Sequence, residues 1–266
     1  MFQPLSRDCL IIIQHIFTNV NTNFQKNLKK LYHTETSEIE AIKDVSFNVN
    51  LGEFISIVGP SGCGKSTILS ILSGLIDKSS GNINLRDGYS IAYMLQDDLL
   101  LPFLTILDNC LLGLSIKKML TDERKNYVIN LLNTYGLSDF IYKYPSSLSG
   151  GMKQRCALIR TLATNPDILL LDEAMSALDY QTRLTISDDI YKIIKKEGKT
   201  AIMVTHDLEQ AVSMSDRVIV LSKRPSVVKN IYDIKFSNKL SPINKRKCDE
   251  FRKYIDLIWK ELDTNE

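Results

Sequence analysis

The sequence predicts an α/β protein built on a largely parallel sheet, and three observations carry that expectation. Short β-prone runs near 45–49, 54–58, 168–171, 201–205 and 217–221 alternate with stretches of helical character. The run at 53–58, Glu-Phe-Ile-Ser-Ile-Val, passes at once into Gly59-Pro60-Ser61-Gly62-Cys63-Gly64-Lys65-Ser66-Thr67, which reads as strand, loop and helix. A second apolar run, Ile168-Leu169-Leu170-Leu171, ends in Asp172-Glu173, as a buried strand delivering two acids to its carboxyl end would. With 266 residues, 44% of them hydrophobic, the chain can bury a sizeable core as one large domain or as a domain with an inserted lobe.

Residues 1–21 read as an N-terminal extension, either a minor tail or a segment that meets a partner. Its apolar run, Cys9 to Phe17, is interrupted by Gln14 and His15 and falls short of the roughly 20 residues that span a bilayer. Arg7 is the one basic residue ahead of that run and no small-residue cleavage site follows, so a secretory signal is not expected. Lys and Arg total 33 against 31 Asp and Glu, a net charge of +2 that gives no electrostatic case for a nucleic-acid partner. The five cysteines are scattered without a CxxC pair, which argues against both a disulfide framework and a zinc site.

Chemistry first enters at the glycine-rich loop. Its glycines let backbone N–H groups turn inward around phosphates, and a helix opening at Lys65 adds the positive end of its dipole to the same spot. Lys65 is expected to reach the β- and γ-phosphates of a nucleotide, and Ser66 to offer a hydroxyl to Mg²⁺, a hard cation that takes oxygen ligands. Cys63 reads as a small loop residue without a redox role. The spacing GxxxxGK[ST] arises by chance in roughly one chain in a hundred of this length, so other residues must complete the case. Asp172 and Glu173 do so: ligands of an open α/β sheet lie beyond the carboxyl ends of its strands, where Asp172 can hold the Mg²⁺ shell and Glu173 can face the attacking water. Leu148-Ser149-Gly150-Gly151-Met152 adds a helix start, with Ser149 as N-cap and two glycines that allow close backbone approach to an anion.

These three elements, in this order, resemble the ATP-binding cassette (ABC) ATPases, in which Leu-Ser-Gly-Gly is the signature. The resemblance implies a P-loop NTPase fold: a RecA-like parallel-sheet core, an antiparallel β subdomain and an inserted helical lobe bearing the signature. It implies ATP and Mg²⁺ as ligands. It also implies that Gln96 contacts Mg²⁺ and the attacking water and moves with a membrane partner, and that His206 holds the γ-phosphate. The loop Ser176-Ala177-Leu178-Asp179 would cross a dimer interface, and Met152 stands where the signature more often has Gln. Tyr32 is selected as the aromatic that stacks on adenine, with Phe24 and Phe17 as alternatives.

Such proteins sandwich each ATP between the phosphate loop of one copy and the signature of another, so a homodimer is expected. The expected divisions are a core at 22–95 and 166–225, a helical lobe at 96–165 and a C-terminal helical extension at 226–266. Within the lobe, Asp122 to Tyr135 has acids in its first turn and a helical stripe of Tyr127, Val128, Leu131, Leu132 and Tyr135, ended by Gly136. In the extension, Phe251, Ile255, Ile258, Trp259 and Leu262 are expected along one helix face, packed on the chain itself or on a partner.

The stretch Tyr93 to Thr105, the signature region through Arg155, Leu221-Ser222-Lys223-Arg224-Pro225 and the ending Trp259-Lys260-Glu261-Leu262 are similar to the nitrate/sulfonate/taurine importer branch. That branch also includes importers of bicarbonate and thiamine-precursor pyrimidines. What this implies is an ATPase subunit on the cytoplasmic face of the cell membrane. Its partners would be integral permease subunits and, indirectly, an extracellular or periplasmic solute-binding protein, with no nucleic acid. A soluble ABC-type ATPase acting on nucleic acid or an assembly complex is the alternative. Tyr180, directly after Asp179, departs from many relatives, which have a small residue or another type there.

Overall fold

Strands β3 (Phe54–Val58), β6 (Ile168–Asp172) and β7 (Thr200–Val204) are buried along their whole length, as strands covered on both faces must be. The computed structural model describes residues 22–33, 37–175, 178–238 and 240–263. The expectations for residues 1–21, Phe17, Ser176 and Ala177 therefore lie outside the described residues, as does the side chain of Phe24.

Nine strands form one sheet in the order β4-β1-β2-β9-β8-β3-β7-β6-β5, with β1 at Thr22–His33, β2 at Glu38–Val49, β4 at Ser80–Asn82, β5 at Ile91–Met94, β8 at Arg217–Leu221 and β9 at Ser226–Asp233. From β8 to β5 all neighbours are parallel. At the other end β1 pairs antiparallel with β2 and β4, and β8 with β9. This is the parallel core with an antiparallel β subdomain expected of the ABC-ATPase fold.

Alternation along each buried strand divides the core in two. Leu169, Leu171, Ala201 and Met203 face the helices α2 (Ile106–Ile116), α3 (Asp122–Thr134), α4 (Gly150–Leu162) and α5 (Tyr180–Lys196). Ile168, Leu170, Ile202 and Val204 face α1 (Lys65–Leu72) and the apolar side of the β1–β2 hairpin. Each fully buried Leu or Ile contributes about 1.5–3 kcal/mol relative to exposure, so the strands that carry the site are anchored from both sides.

Helix α3 starts at an N-cap in which Arg124 N–H donates to Thr121 Oγ1 at 3.3 Å. Gly136 follows it with φ 75°, the left-handed turn that ends helices. The Tyr127 and Tyr135 hydroxyls both donate to the Glu197 carboxylate, at 3.1 and 2.8 Å, and so tie α3 to the end of α5. Burial first, and then the Glu197 carboxylate, pushes both phenols well above their ordinary range.

Two expectations for the C-terminal segment are corrected. Residues 226–233 are not helical: β9 lies between β2 and β8, where Ser226 is buried and the strand's other side chains are partly buried except for the exposed Asn230 and Asp233. Helix content begins only with α7 (Pro242–Lys245) and α8 (Asp249–Asp263). In α8, Phe251 and Ile258 are buried while Trp259 is 58% exposed. Positions 251, 255, 258 and 262 share one stripe against α6 (Leu208–Met214) and β8, and Trp259 lies at its edge, where Tyr254 on the opposite flank packs instead.

Candidate nucleotide site

Four parallel strands end on the same side of the sheet, and each passes at that end into a segment singled out above. β3 leads into the glycine loop, β5 into Gln96, β6 into Glu173 and β7 into His206. Ligands of open α/β sheets gather at this edge because loops diverge there and helix N-termini point into it.

Gly64 sits at the N-cap of α1 with φ 101°, a backbone region that L side chains avoid. The turn it permits swings Lys65, 7% exposed, back over the loop, where its ammonium donates to the carbonyls of Gly59 and Pro60 at 2.9 and 3.0 Å. Cys63 is 1% exposed, and burial pushes its thiol up against the opposing pull of Lys65. Because the thiolate is the nucleophile, Cys63 should resist iodoacetamide at neutral pH while the partly exposed Cys248 reacts. Peptide mass mapping of the folded protein checks this.

Asp172 is also 7% exposed and accepts two hydrogen bonds, one on each oxygen. Ser66 donates to Oδ1 at 2.9 Å and Tyr93 donates to Oδ2 at 2.7 Å. Burial, reinforced by Asp172, raises the Tyr93 phenol far above its ordinary value, so it keeps its proton and donates. The donor set fits a magnesium ion: a hydroxyl and a carboxylate oxygen stand side by side next to the phosphate loop. No group of three or more His, Cys, Asp or Glu forms a cage among the described residues. Mg²⁺ characteristically takes one or two protein oxygens and completes its shell with phosphate and water.

Strands β6 and β7 run in register with Asp172 opposite Val204, which brings the residues just beyond them together. Glu173 N–H donates to Val204 O at 3.0 Å, and His206 Nδ1 lies 3.1 Å from Glu173 Oε2. Glu173 has φ 42°, an unusual value for a non-glycine residue that is tolerated chiefly at functional positions.

An open cleft of about 350 Å³ runs along this edge, lined by Tyr32, Ile39, Ala41, Ser61, Gly62, Gly64, Lys65, Ser66, Thr67, Glu173 and Arg224. Tyr32 thus joins the phosphate loop from β1, with Lys30 Nζ 4.9 Å from its ring centre. Gln96 is exposed, beyond the end of β5.

Signature residues Ser149, Gly150, Gly151 and Met152 do not line this cleft. Ser149 caps α4, accepting from Met152 N–H at 3.4 Å. Gly151 is needed inside its own chain, since a Cβ there would lie 2.7 Å from Ile186 Cδ1 on α5. Asp179 caps α5 by accepting from Thr182 N–H at 3.1 Å, and the bonds to Thr182 hold its carboxyl below the usual range. Tyr180 fills the first position of α5, its hydroxyl donating to Glu209 at 3.4 Å.

Residues 42–176, just over half of the chain, match the ABC transporter family model. The chain belongs to the ABC transporter family. Membership makes it an ATP-binding ATPase coupled to transport. This ABC ATPase is 43% identical over 242 residues to the uncharacterized ABC transporter ATP-binding protein YtlC of Bacillus subtilis (strain 168), covering 88% of this chain and 93% of that one. It is 40% identical to the spermidine/putrescine import ATP-binding protein PotA of Pasteurella multocida (strain Pm70), over 74% of this chain and 55% of that one. With the nitrate import ATP-binding protein NrtC of Synechococcus elongatus it shares 39% identity, over 82% of this chain and 34% of that one. Among solved structures it is similar to the dimeric post-hydrolysis state of the ATP-binding cassette MJ0796 bound to ADP and Pi, with a TM-score of 0.67, 34% identity and coverage of 80% of this chain and 99% of that one.

Two residues at the site were not anticipated. Arg224 enters the cleft because β8 is a further parallel neighbour of β3 and releases its chain at the same edge. Tyr93 holds Asp172 from β5. Both lie inside segments already noted for their resemblance, but only strand order reveals what they face.

Proposed function

We propose that this ABC ATPase is the cytoplasmic subunit of a membrane importer for a small solute, acting as a homodimer peripheral to the membrane. Support comes first from one observation: Lys65, the Ser66–Asp172 pair and the Glu173–His206 pair stand together at one sheet edge. In this reading Lys65 and the N–H groups of residues 59–67 hold the phosphates, Tyr32 stacks on adenine and His206 contacts the γ-phosphate. Glu173 takes the proton of the attacking water. Ser66, Asp172 and Gln96 would hold Mg²⁺, which when bound offsets negative charge on the phosphates. Ser149, Gly150, Gly151, Met152 and Asp179 serve the nucleotide of the opposite copy, consistent with their position outside the chain's own cleft. Catalysis then consists of positioning and charge stabilisation, as phosphoryl transfer to water requires.

Apolar surface next to Gln96 supports a permease partner. Leu95, Leu99 and Phe103 are 39%, 53% and 71% exposed, and a groove of about 410 Å³ lined by Leu75, Leu95, Lys117 and Arg160 adjoins them. No helix among the described residues is long and apolar enough to cross a membrane; in this reading partner permease chains form the translocation path, supplied by a solute-binding protein. The motif similarity supports a solute of the nitrate/sulfonate/taurine branch, while the PotA and NrtC matches, at 40% and 39% identity, support an importer without choosing between substrates.

Co-purification from native membranes tests the assignment. Phe103→Glu combined with Leu99→Glu should abolish recovery of the permease while leaving ATP affinity unchanged, because neither side chain lines the nucleotide cleft. Identifying the solute bound by the co-purified receptor then fixes the substrate. ATPase activity stimulated by DNA or RNA, with no membrane protein recovered, would replace this proposal.

A further inference from the structure

We propose that Tyr93 is a positioning residue for the metal-anchoring carboxylate: it fixes Asp172 through the oxygen that Ser66 does not use, and joins that carboxylate to the strand leading into Gln96. This inference rests on the nucleotide-site reading given above.

Asp172 is nearly enclosed, and each of its oxygens has one donor, Ser66 at 2.9 Å and Tyr93 at 2.7 Å. A carboxylate held at both ends cannot rotate about its Cβ–Cγ bond without breaking both bonds. Ser66 donates its proton to Oδ1, which leaves the hydroxyl lone pairs available to a cation. That arrangement lasts only while Oδ1 stays in place, and the Tyr93 bond is the restraint on the far side.

Strand geometry explains how a residue on β5 reaches the end of β6. Tyr93 is paired with Leu170, and Leu170 and Asp172 point to the same face because side chains alternate along a strand. The long Tyr93 side chain therefore reaches its diagonal neighbour, a distance that aromatic residues span in sheets. A leucine or valine at 93 would pack but could not donate. Gln96 lies three residues further along the same chain, so a shift of that segment by a docked partner would pull on Asp172 through this one hydroxyl.

Tyr93→Phe in the full chain removes the donor and keeps the ring. The protein is saturated with a non-hydrolysable ATP analogue and titrated with Mn²⁺, the free ion being followed by electron paramagnetic resonance. The Mn²⁺ dissociation constant should rise about tenfold, the low end of what removing a ligand's hydrogen-bond partner causes. Affinity for the analogue without metal should be unchanged, and the metal-free thermal unfolding midpoint should fall by a few degrees, because the enclosed Asp172 carboxylate loses a donor. In turnover assays the Mg²⁺ concentration for half-maximal rate should rise by a similar factor, and excess Mg²⁺ should restore activity. A purely structural defect would not be rescued by metal. Equal Mn²⁺ affinity in variant and wild type, or an equal loss of metal-free analogue binding, overturns the inference. Tyr93→Met provides the same readings should the phenylalanine chain not fold. If the wild-type chain itself binds no analogue, the nucleotide-site reading falls as well; if it binds analogue and metal and the variant matches it, only the role of Tyr93 falls.

Discussion

Replacing Glu173 by glutamine should leave ATP binding intact and lower kcat by about 10²–10⁴-fold, the range a positioned general base contributes. The substitution conserves volume and keeps an oxygen within reach of His206, now 3.1 Å from Oε2. What it removes is the proton-accepting carboxylate. The variant should consequently accumulate with ATP bound, and if the signature of a second copy closes over that ATP, a dimer should appear on size exclusion only with nucleotide. Turnover equal to that of the wild type would remove Glu173 as the base. Normal binding, low turnover and no dimer would leave the base in place and remove the shared site.

How much of this is legible in the sequence depends on whether a function resides in contiguous residues. The glycine loop, the Leu-Ser-Gly-Gly turn and the acids after Leu171 are local strings whose chemistry follows from their own backbone, and each emerges at a strand or helix end. The parallel core is equally legible, since strands such as β6 are apolar on both faces. The hairpin is less so: β1 carries Lys26, Lys29 and Lys30 and gives no sustained alternation, with register shifts along its pairing with β2. Strand β9 was hidden for a related reason, as only Ser226 in it is fully buried. Functions that depend on strand order could not be read at all. Nothing near Tyr93 names Asp172, which lies 79 residues away, and nothing near Arg224 names the phosphate loop.

The same distinction bears on the signature glycines. Family resemblance gives Gly150 and Gly151 a role toward nucleotide, yet Gly151 also lets α4 approach Ile186 and Thr182 within this chain. Loss of activity in a Gly151 variant would therefore mix a packing defect with a binding defect, which makes Ser149 the cleaner probe of contact with the second copy.

Lys65→Ala acts one step before Glu173→Gln and should fail in a different way. A hydrogen bond to a charged group is worth about 1.5–3 kcal/mol, so losing the ammonium should weaken ATP binding by about ten- to a hundredfold. Folded stability should fall as well, because Lys65 now donates to the Gly59 and Pro60 carbonyls from a nearly enclosed position and alanine leaves those bonds unmade. Arginine is not a substitute. Its planar fork cannot enter a turn shaped around one ammonium, so Lys65→Arg should lose affinity despite keeping the charge. Calorimetric titration with ATP, alongside thermal unfolding without nucleotide, separates the two effects. An unchanged dissociation constant in Lys65→Ala would show that the phosphates are held by backbone N–H groups and the helix dipole alone. Taken with Glu173→Gln, the pair resolves binding from chemistry: one variant should lose affinity first, the other turnover at full occupancy.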